Sequence, residues 1–170
     1  YPCSKQIIFR RTLPELEKSL IRLSLALYPK SVYSYRKADH TGTFVNGSLI
    51  DFAYCDSEED VYRYQSAEYD VIRFDELTHF TESMYLYMIS RCRGVNEYPK
   101  HVKSSTNPGG IGHSWVKKRF IDCCPPDAVI TVGEMTRMFI PARVTDNRFL
   151  MKSDPQYVKR LRSLSERDRR

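Results

Sequence analysis

The sequence contains no CxxC pair, no long apolar run and no GxxxxGK[ST] phosphate-binding loop. A membrane-spanning helix needs roughly 20 mostly apolar residues. The greasiest stretch, Leu20 to Leu27, is broken by Arg22 and Ser24, so no membrane partner is expected. The five cysteines, Cys3, Cys55, Cys92, Cys123 and Cys124, are odd in number, and two adjacent thiols are a poor zinc pattern. They read as reduced thiols rather than a disulfide framework or a structural zinc site. The opening YPCSKQIIF has no basic region ahead of an apolar core, so no secretory leader is expected there. The first residue is not methionine, and a start inside a longer protein is the expectation.

The 170 residues are enough for one α/β domain with a real core. The formal net charge of +6 mildly favours polyanionic partners such as nucleic acid or nucleotide. Much of the excess comes from Lys159, Arg160, Arg162, Arg167, Arg169 and Arg170. That cluster reads equally well as a solvated helix or linker.

Short apolar runs alternate with helical periods. Strands are expected over 5–9, 32–36, 43–45, 48–54, 69–74, 101–106, 128–132 and 137–140. A helix is expected over 13–27, with Pro14 in its first turn and Leu16, Leu20, Leu23 and Leu27 as its apolar stripe. Further helical periods cover 82–92, with Gly94 as a plausible C-cap, 112–121 and 154–164, and a short one is possible within 56–64. Asn46-Gly47 is a strong hairpin signal. The alternation points to a mostly parallel, three-layer α/β sheet with an inserted β-hairpin. In such sheets ligands bind beyond the C-terminal ends of the strands.

Two strand ends carry chemistry. In YDVIRFDELTHF, residues 69–80, an apolar strand delivers Asp75 and Glu76 to its C-terminal edge. Two adjacent acids repel unless a cation or a proton transfer uses them. In a nucleotide hydrolase the first holds Mg²⁺ and the second polarises the attacking water. The plain alternative is an acidic pair complementing a helix dipole. Arg73 is unusual inside a central strand; it shares a face with Asp75 and is positioned to meet phosphate or pair with an acid. In HVKSSTNPGGIGHSW, residues 101–115, a strand ends in Ser104, Ser105, Thr106 and Asn107 before a Pro-Gly-Gly turn. Such hydroxyls can sense a γ-phosphate, and Gly109, Gly110 and Gly112 offer flexibility to relay its loss. An ordinary capped turn explains the same residues. Lys117, Lys118 and Arg119 are expected to be exposed and able to touch a DNA backbone, with Trp115, Val116 and Phe120 as core candidates.

The ordered set Asp75-Glu76, Thr106-Asn107-Pro108-Gly109-Gly110, then Gly112-His113 with Trp115, Lys118 and Phe120 resembles the ATPase domain of phage terminase large subunits. Arg10-Arg11 with Pro14 and Ser19, the hairpin 44–50, Ile140-Pro141-Ala142 with Asp146-Asn147 and Leu150, and Asp154-Pro155 with Tyr157 and Leu161 fall in the same family order. The resemblance implies a P-loop NTPase fold of the ASCE type, driving double-stranded DNA into procapsids with ATP and Mg²⁺. It implies Asp75 as the Mg²⁺-coordinating acid, Glu76 as catalytic base, and Ser105, Thr106 and Asn107 as the nucleotide-linked coupling motif. Arg63 occupies the place of a trans-acting arginine finger. Implied partners are the portal protein and the small terminase subunit, in a homo-oligomeric ring, within the cytoplasm of a bacterial host carrying the phage or prophage.

The family carries its phosphate-binding loop ahead of the first strand seen here, and a nuclease domain after it. The expectation is therefore a partial ATPase domain over 1–150 and a C-terminal helix or linker over 151–170. By itself such a chain should hydrolyse ATP negligibly, and the sheet surface left uncovered should favour self-association or partial disorder. Two other readings stand beside this one. Asp75 to His79 resembles the DExx box of a superfamily-2 helicase-like ATPase, although the Asn-Pro-Gly-Gly segment is foreign to those enzymes. A non-catalytic nucleic-acid-binding or assembly module is compatible with the charge. A metalloprotease is excluded, because Asp75 to His79 lacks the first histidine of an HExxH pair.

Overall fold

A computed structural model of the chain describes residues 1–123 and 125–164. The thiol of Cys124 and the basic residues Arg167, Arg169 and Arg170 lie outside the described residues. Packing divides the chain into two compact units, Tyr1–Gly112 and His113–Arg170.

In the first unit, β1 (Lys5–Arg10) leads into α1 (Leu13–Leu16) and, after a π-helical turn over Glu17–Ile21, α2 (Arg22–Leu27). Then come β2 (Tyr33–Arg36), β3 (Thr41–Phe44), β4 (Leu49–Tyr54), a 3₁₀ segment Glu59–Tyr64, β5 (Val71–Asp75), a 3₁₀ turn Leu77–His79, α3 (Glu82–Ile89) and β6 (His101–Ser105). These form a six-stranded sheet of order β2-β3-β4-β1-β5-β6. β1 pairs parallel with both β4 and β5, and β5 pairs parallel with β6. The expected hairpin is the antiparallel β3–β4 pair, turning at Asn46-Gly47 with Gly47 at φ 81°, and β2 pairs antiparallel with β3 to form the edge of the sheet.

The pleat explains the layers. Neighbouring residues of a strand face opposite sides. On one side Ile8, Ile50 and Phe52 pack with Leu16 and Ile21 of the helical segment. On the other, Phe9 stacks on Phe74 and meets Tyr64 edge-on, while Phe74 contacts Phe80 and Tyr85 of the turn and α3. Helical segments thus cover both faces, as the expected three-layer α/β class requires.

Two expectations fail for local reasons. The π turn adds a residue to the helical repeat, so the buried positions are Leu16, Ile21 and Ser24, while Leu23 and Leu27 are 59% and 62% exposed. Gly94 does not cap α3, which ends at Ile89 with Ser90 as its C-cap.

The second unit contains α4 (His113–Val116), a π turn Lys117–Ile121, an antiparallel hairpin of β7 (Val129–Val132) and β8 (Met135–Met138), a 3₁₀ turn Val144–Asp146, α5 (Arg148–Ser153) and α6 (Tyr157–Arg162). β8 starts two residues earlier than expected, because a two-residue Gly133-Glu134 turn, with Gly133 at φ 64°, pairs Val132 directly with Met135. α5 has no counterpart among the expected helices; Asn147 caps it, accepting the Leu150 N–H at 3.0 Å. The helix expected over 154–164 is confined to α6. No helix among the described residues is long and apolar enough to cross a membrane.

Candidate functional site

β1, β5 and β6 run parallel and end side by side at Arg10, Asp75 and Ser105. Asp75 is directly opposite Ser105 in the register. The Ser105 hydroxyl donates to Asp75 Oδ1 at 2.8 Å, and Arg10 Nη1 donates to Asp75 Oδ2. The Asp75 carboxylate is thus engaged on both oxygens while keeping about a fifth of its side chain (22%) open to solvent.

Glu76 breaks the strand. Its backbone is left-handed, φ 56° and ψ 60°. That conformation costs a non-glycine residue roughly 1–2 kcal/mol. It releases Glu76 from strand alternation and turns it toward the β6 loop. There Oε1 accepts from Asn107 Nδ2 at 3.2 Å and Oε2 accepts from the Asn107 backbone N–H, also at 3.2 Å.

Thr78 fastens the two motifs. It is 3% exposed, and its N–H, hydroxyl and carbonyl are all spent on the 106–112 loop. Its N–H donates to Thr106 Oγ1 at 3.1 Å, its hydroxyl lies 2.8 Å from that oxygen and 3.0 Å from the Asn107 carbonyl, and its own carbonyl accepts the Gly112 N–H at 2.7 Å. Gly110, at φ 75°, lies so close that a Cβ would sit 2.5 Å from the Thr78 carbonyl oxygen. Glycine at 110 therefore permits this close approach of the loop to Thr78.

The other expected residues lie elsewhere. Among the described residues Arg73 pairs with no acid; its Nη1 donates to Gln6 Oε1 at 2.5 Å, and burial lowers its pKa. The guanidinium that reaches Asp75 is that of Arg10, because Phe9 is paired with Phe74 and each strand ends on its next residue. Arg63 pairs with Asp60 at 2.8 Å, lies over the Tyr54 ring, and lines a cleft of about 420 Å³ with Asp51 and Tyr64. In the second unit Lys117 and Lys118 are exposed, Lys117 bonding Asp122 at 2.6 Å. Arg119 is half-buried rather than exposed, since the π turn over 117–121 advances the register. Val116 is buried, with Trp115 and Phe120 partly so.

Sequence reasoning gave no role to Arg10 or Thr78. Arg10 was legible only through the parallel register. Thr78 carried no signal, since a threonine in a turn is unremarkable until its neighbours are known.

Among the described residues no cluster of three or more His, Cys, Asp or Glu is placed to hold a metal ion. Mg²⁺ needs no such cage: one or two carboxylates plus phosphate oxygens suffice. Asp75, with the Ser105 hydroxyl beside it, is an all-oxygen donor set that fits an ion carried on phosphates.

No protein-family profile and no curated protein sequence matches the chain. Solved structures do. The large terminase of a thermophilic bacteriophage in complex with ADP matches with a TM-score of 0.71 and 18% identity, over 100% of this chain and 40% of that one. Another crystal form of the same protein gives 0.69 and 19%, over 95% and 38%. Its complex with ATP-γ-S gives 0.65 and 19%, over 95% and 37%. The chain spans about two-fifths of the terminase chains it matches, and over that span it has the fold of a phage large terminase.

Proposed function

We propose that the chain is part of an ATP-driven motor that moves double-stranded viral DNA into procapsids. The observation that carries the reading is the pairing of two strand ends, Asp75 with Ser105 and Glu76 with Asn107. The terminase with a similar fold is known in ADP and ATP-γ-S complexes, which supports a nucleotide as ligand.

In this reading Asp75 holds the Mg²⁺ of Mg-ATP, the ion supplying charge neutralisation on the phosphates. Glu76 accepts a proton from the attacking water. Ser105, Thr106 and Asn107 couple hydrolysis to DNA movement, since Asn107 grips the base while Thr106 is tied to Thr78. Lys117, Lys118 and Arg119 contact the DNA backbone, and Arg63 acts across a subunit boundary in a homo-oligomeric ring. Residues 1–150 belong to the ATPase domain, and 151–170 lead toward a nuclease domain. The portal protein and the small terminase subunit are the partners, in the bacterial cytoplasm.

The test uses a longer polypeptide in which this chain is joined to a phosphate-binding loop. There Glu76→Gln lowers kcat by about 100-fold or more while nucleotide binding persists. Asn107→Ala uncouples hydrolysis from packaging. Turnover unaffected by Glu76→Gln sinks the reading. Duplex-DNA binding with no nucleotide binding at all favours the non-catalytic module instead.

A further inference from the structure

Arg10 faces two acids and is fully bonded to only one. Its Nη1 donates to Asp75 Oδ2. Its Nε faces Glu15 Oε2 at 3.7 Å, too far for a hydrogen bond. Both of these atoms, Nε and Oε2, are buried and make no hydrogen bond among the described residues. A buried donor and a buried acceptor facing each other form an unclosed pair, and unsatisfied polar atoms are costly. A shift of roughly 0.7–0.8 Å brings them to ordinary N–H···O distance.

Glu15 is well placed to receive the guanidinium. It lies in the first turn of α1, whose cap is Thr12, accepting the Glu15 N–H at 3.4 Å. The next residue, Leu16, is fully buried, so the turn carrying Glu15 is anchored in the core. On the other side, the Ser105 hydroxyl occupies Asp75 Oδ1 while Arg10 occupies Oδ2. A cation binding Asp75 competes with Arg10 for the same lone pairs.

We infer that Arg10 is a positioning residue that changes partners: it holds Asp75 while no divalent cation is bound, and passes to Glu15 when one takes Asp75. The inference rests on the assignment of Asp75 as the cation-binding acid. It makes the junction of β1 and α1 responsive to occupancy of that site. Arg10 touches neither water nor phosphate in this role; it acts through Asp75.

The test is an amide-resolved NMR titration of the ¹⁵N-labelled chain with Mn²⁺, reading line broadening at 74–77 and 104–107. Asp75→Asn abolishes the broadening. Arg10→Gln, which removes the competitor, lowers the half-maximal Mn²⁺ concentration by about tenfold, equivalent to about 1.4 kcal/mol. Glu15→Gln, which removes the receiver, raises it severalfold. With diamagnetic Mg²⁺, the Arg10 Nε–H resonance shifts in the wild type and stays fixed in Glu15→Gln. Amide dispersion reports whether each variant folds, and the Glu15 variant and the Arg10 resonance decide the matter if Arg10→Gln does not fold. Broadening that survives Asp75→Asn means that Asp75 is not the cation site, and both ideas fall. Broadening lost in Asp75→Asn but not strengthened in Arg10→Gln leaves the cation site standing and overturns the exchange of partners. So does an Arg10 Nε–H that ignores Mg²⁺.

Discussion

Lys100→Met tests the opposite end of the sheet, where a partly buried ion pair ties three segments together. Asp70 precedes β5, and its side chain is 4% exposed, against 23% for Lys100. The Lys100 ammonium donates to Asp70 Oδ1 at 3.0 Å, Asn96 Oδ1 at 2.6 Å and the Tyr98 carbonyl at 2.7 Å. Asp70 Oδ2 also accepts the Lys5 N–H at 2.9 Å. Burial opposes the charge of Asp70, but the Lys5 N–H and Lys100 outweigh it and hold the carboxyl below its ordinary value. Methionine has similar length and no charge. It leaves a nearly buried carboxylate without its cation. Breaking a fully buried pair costs about 3–5 kcal/mol. Lys100 is partly exposed and a cleft of about 110 Å³ adjoins Asp70, so water softens the loss. About 2–3 kcal/mol is therefore expected at pH 7, a fall in Tm of roughly 5–10 °C.

The loss must also depend on pH in one direction. A carboxyl with a depressed folded pKa contributes its full stability above the unfolded value, about 3.9, and loses it as pH falls through the folded value. The gap between wild type and Lys100→Met should therefore narrow as pH falls below about 4 and through the depressed folded value. Urea unfolding followed by far-ultraviolet circular dichroism reads it as a shift in midpoint at constant slope. A difference below about 0.5 kcal/mol at pH 7, the scale of an ordinary surface substitution, refutes the reasoning. A larger difference that persists unchanged at low pH refutes the electrostatic part.

Three further outcomes are expected. Leu16→Ala costs about 2–5 kcal/mol and Leu23→Ala less than about 0.5, by chemical denaturation; equal costs would contradict the π-shifted register. Thr78→Val costs about 1–2 kcal/mol and raises amide exchange at Gly112, whereas Thr78→Ser stays near wild type, since only valine lacks the hydroxyl. Gly110→Ala combines a left-handed backbone with a clash on the Thr78 carbonyl and should cost about 2–4 kcal/mol; a neutral result in thermal unfolding would mean that the loop relaxes freely.

The parallel strands were legible because β1 and β5 carry short apolar runs, buried on one face of the sheet at Ile7, Phe9, Ile72 and Phe74 and partly buried on the other. The 44–50 hairpin was legible because Asn-Gly allows few other conformations. The π turns were not, since each inserts a residue without a change in composition; leucine at 16, 20, 23 and 27 fits an α-helix whether or not one forms. Site residues were legible as types at a strand end. Their partners were not, because hydrogen bonds between 76 and 107 or between 10 and 75 depend on which strands lie side by side.

By itself, the sequence determined that an acidic pair ends one strand and that hydroxyl and amide groups end another. It also determined that no phosphate-binding loop occurs within these 170 residues. Tertiary structure decided that Arg10, not Arg73, meets Asp75, that Glu76 leaves the strand through a left-handed turn, and that Thr78 binds the two loops together. The reason is physical. Local propensity and periodicity act along the chain and leave their mark in it. Register between parallel strands is set by side chains packing across the sheet, and the polar partners at the strand ends follow from that register.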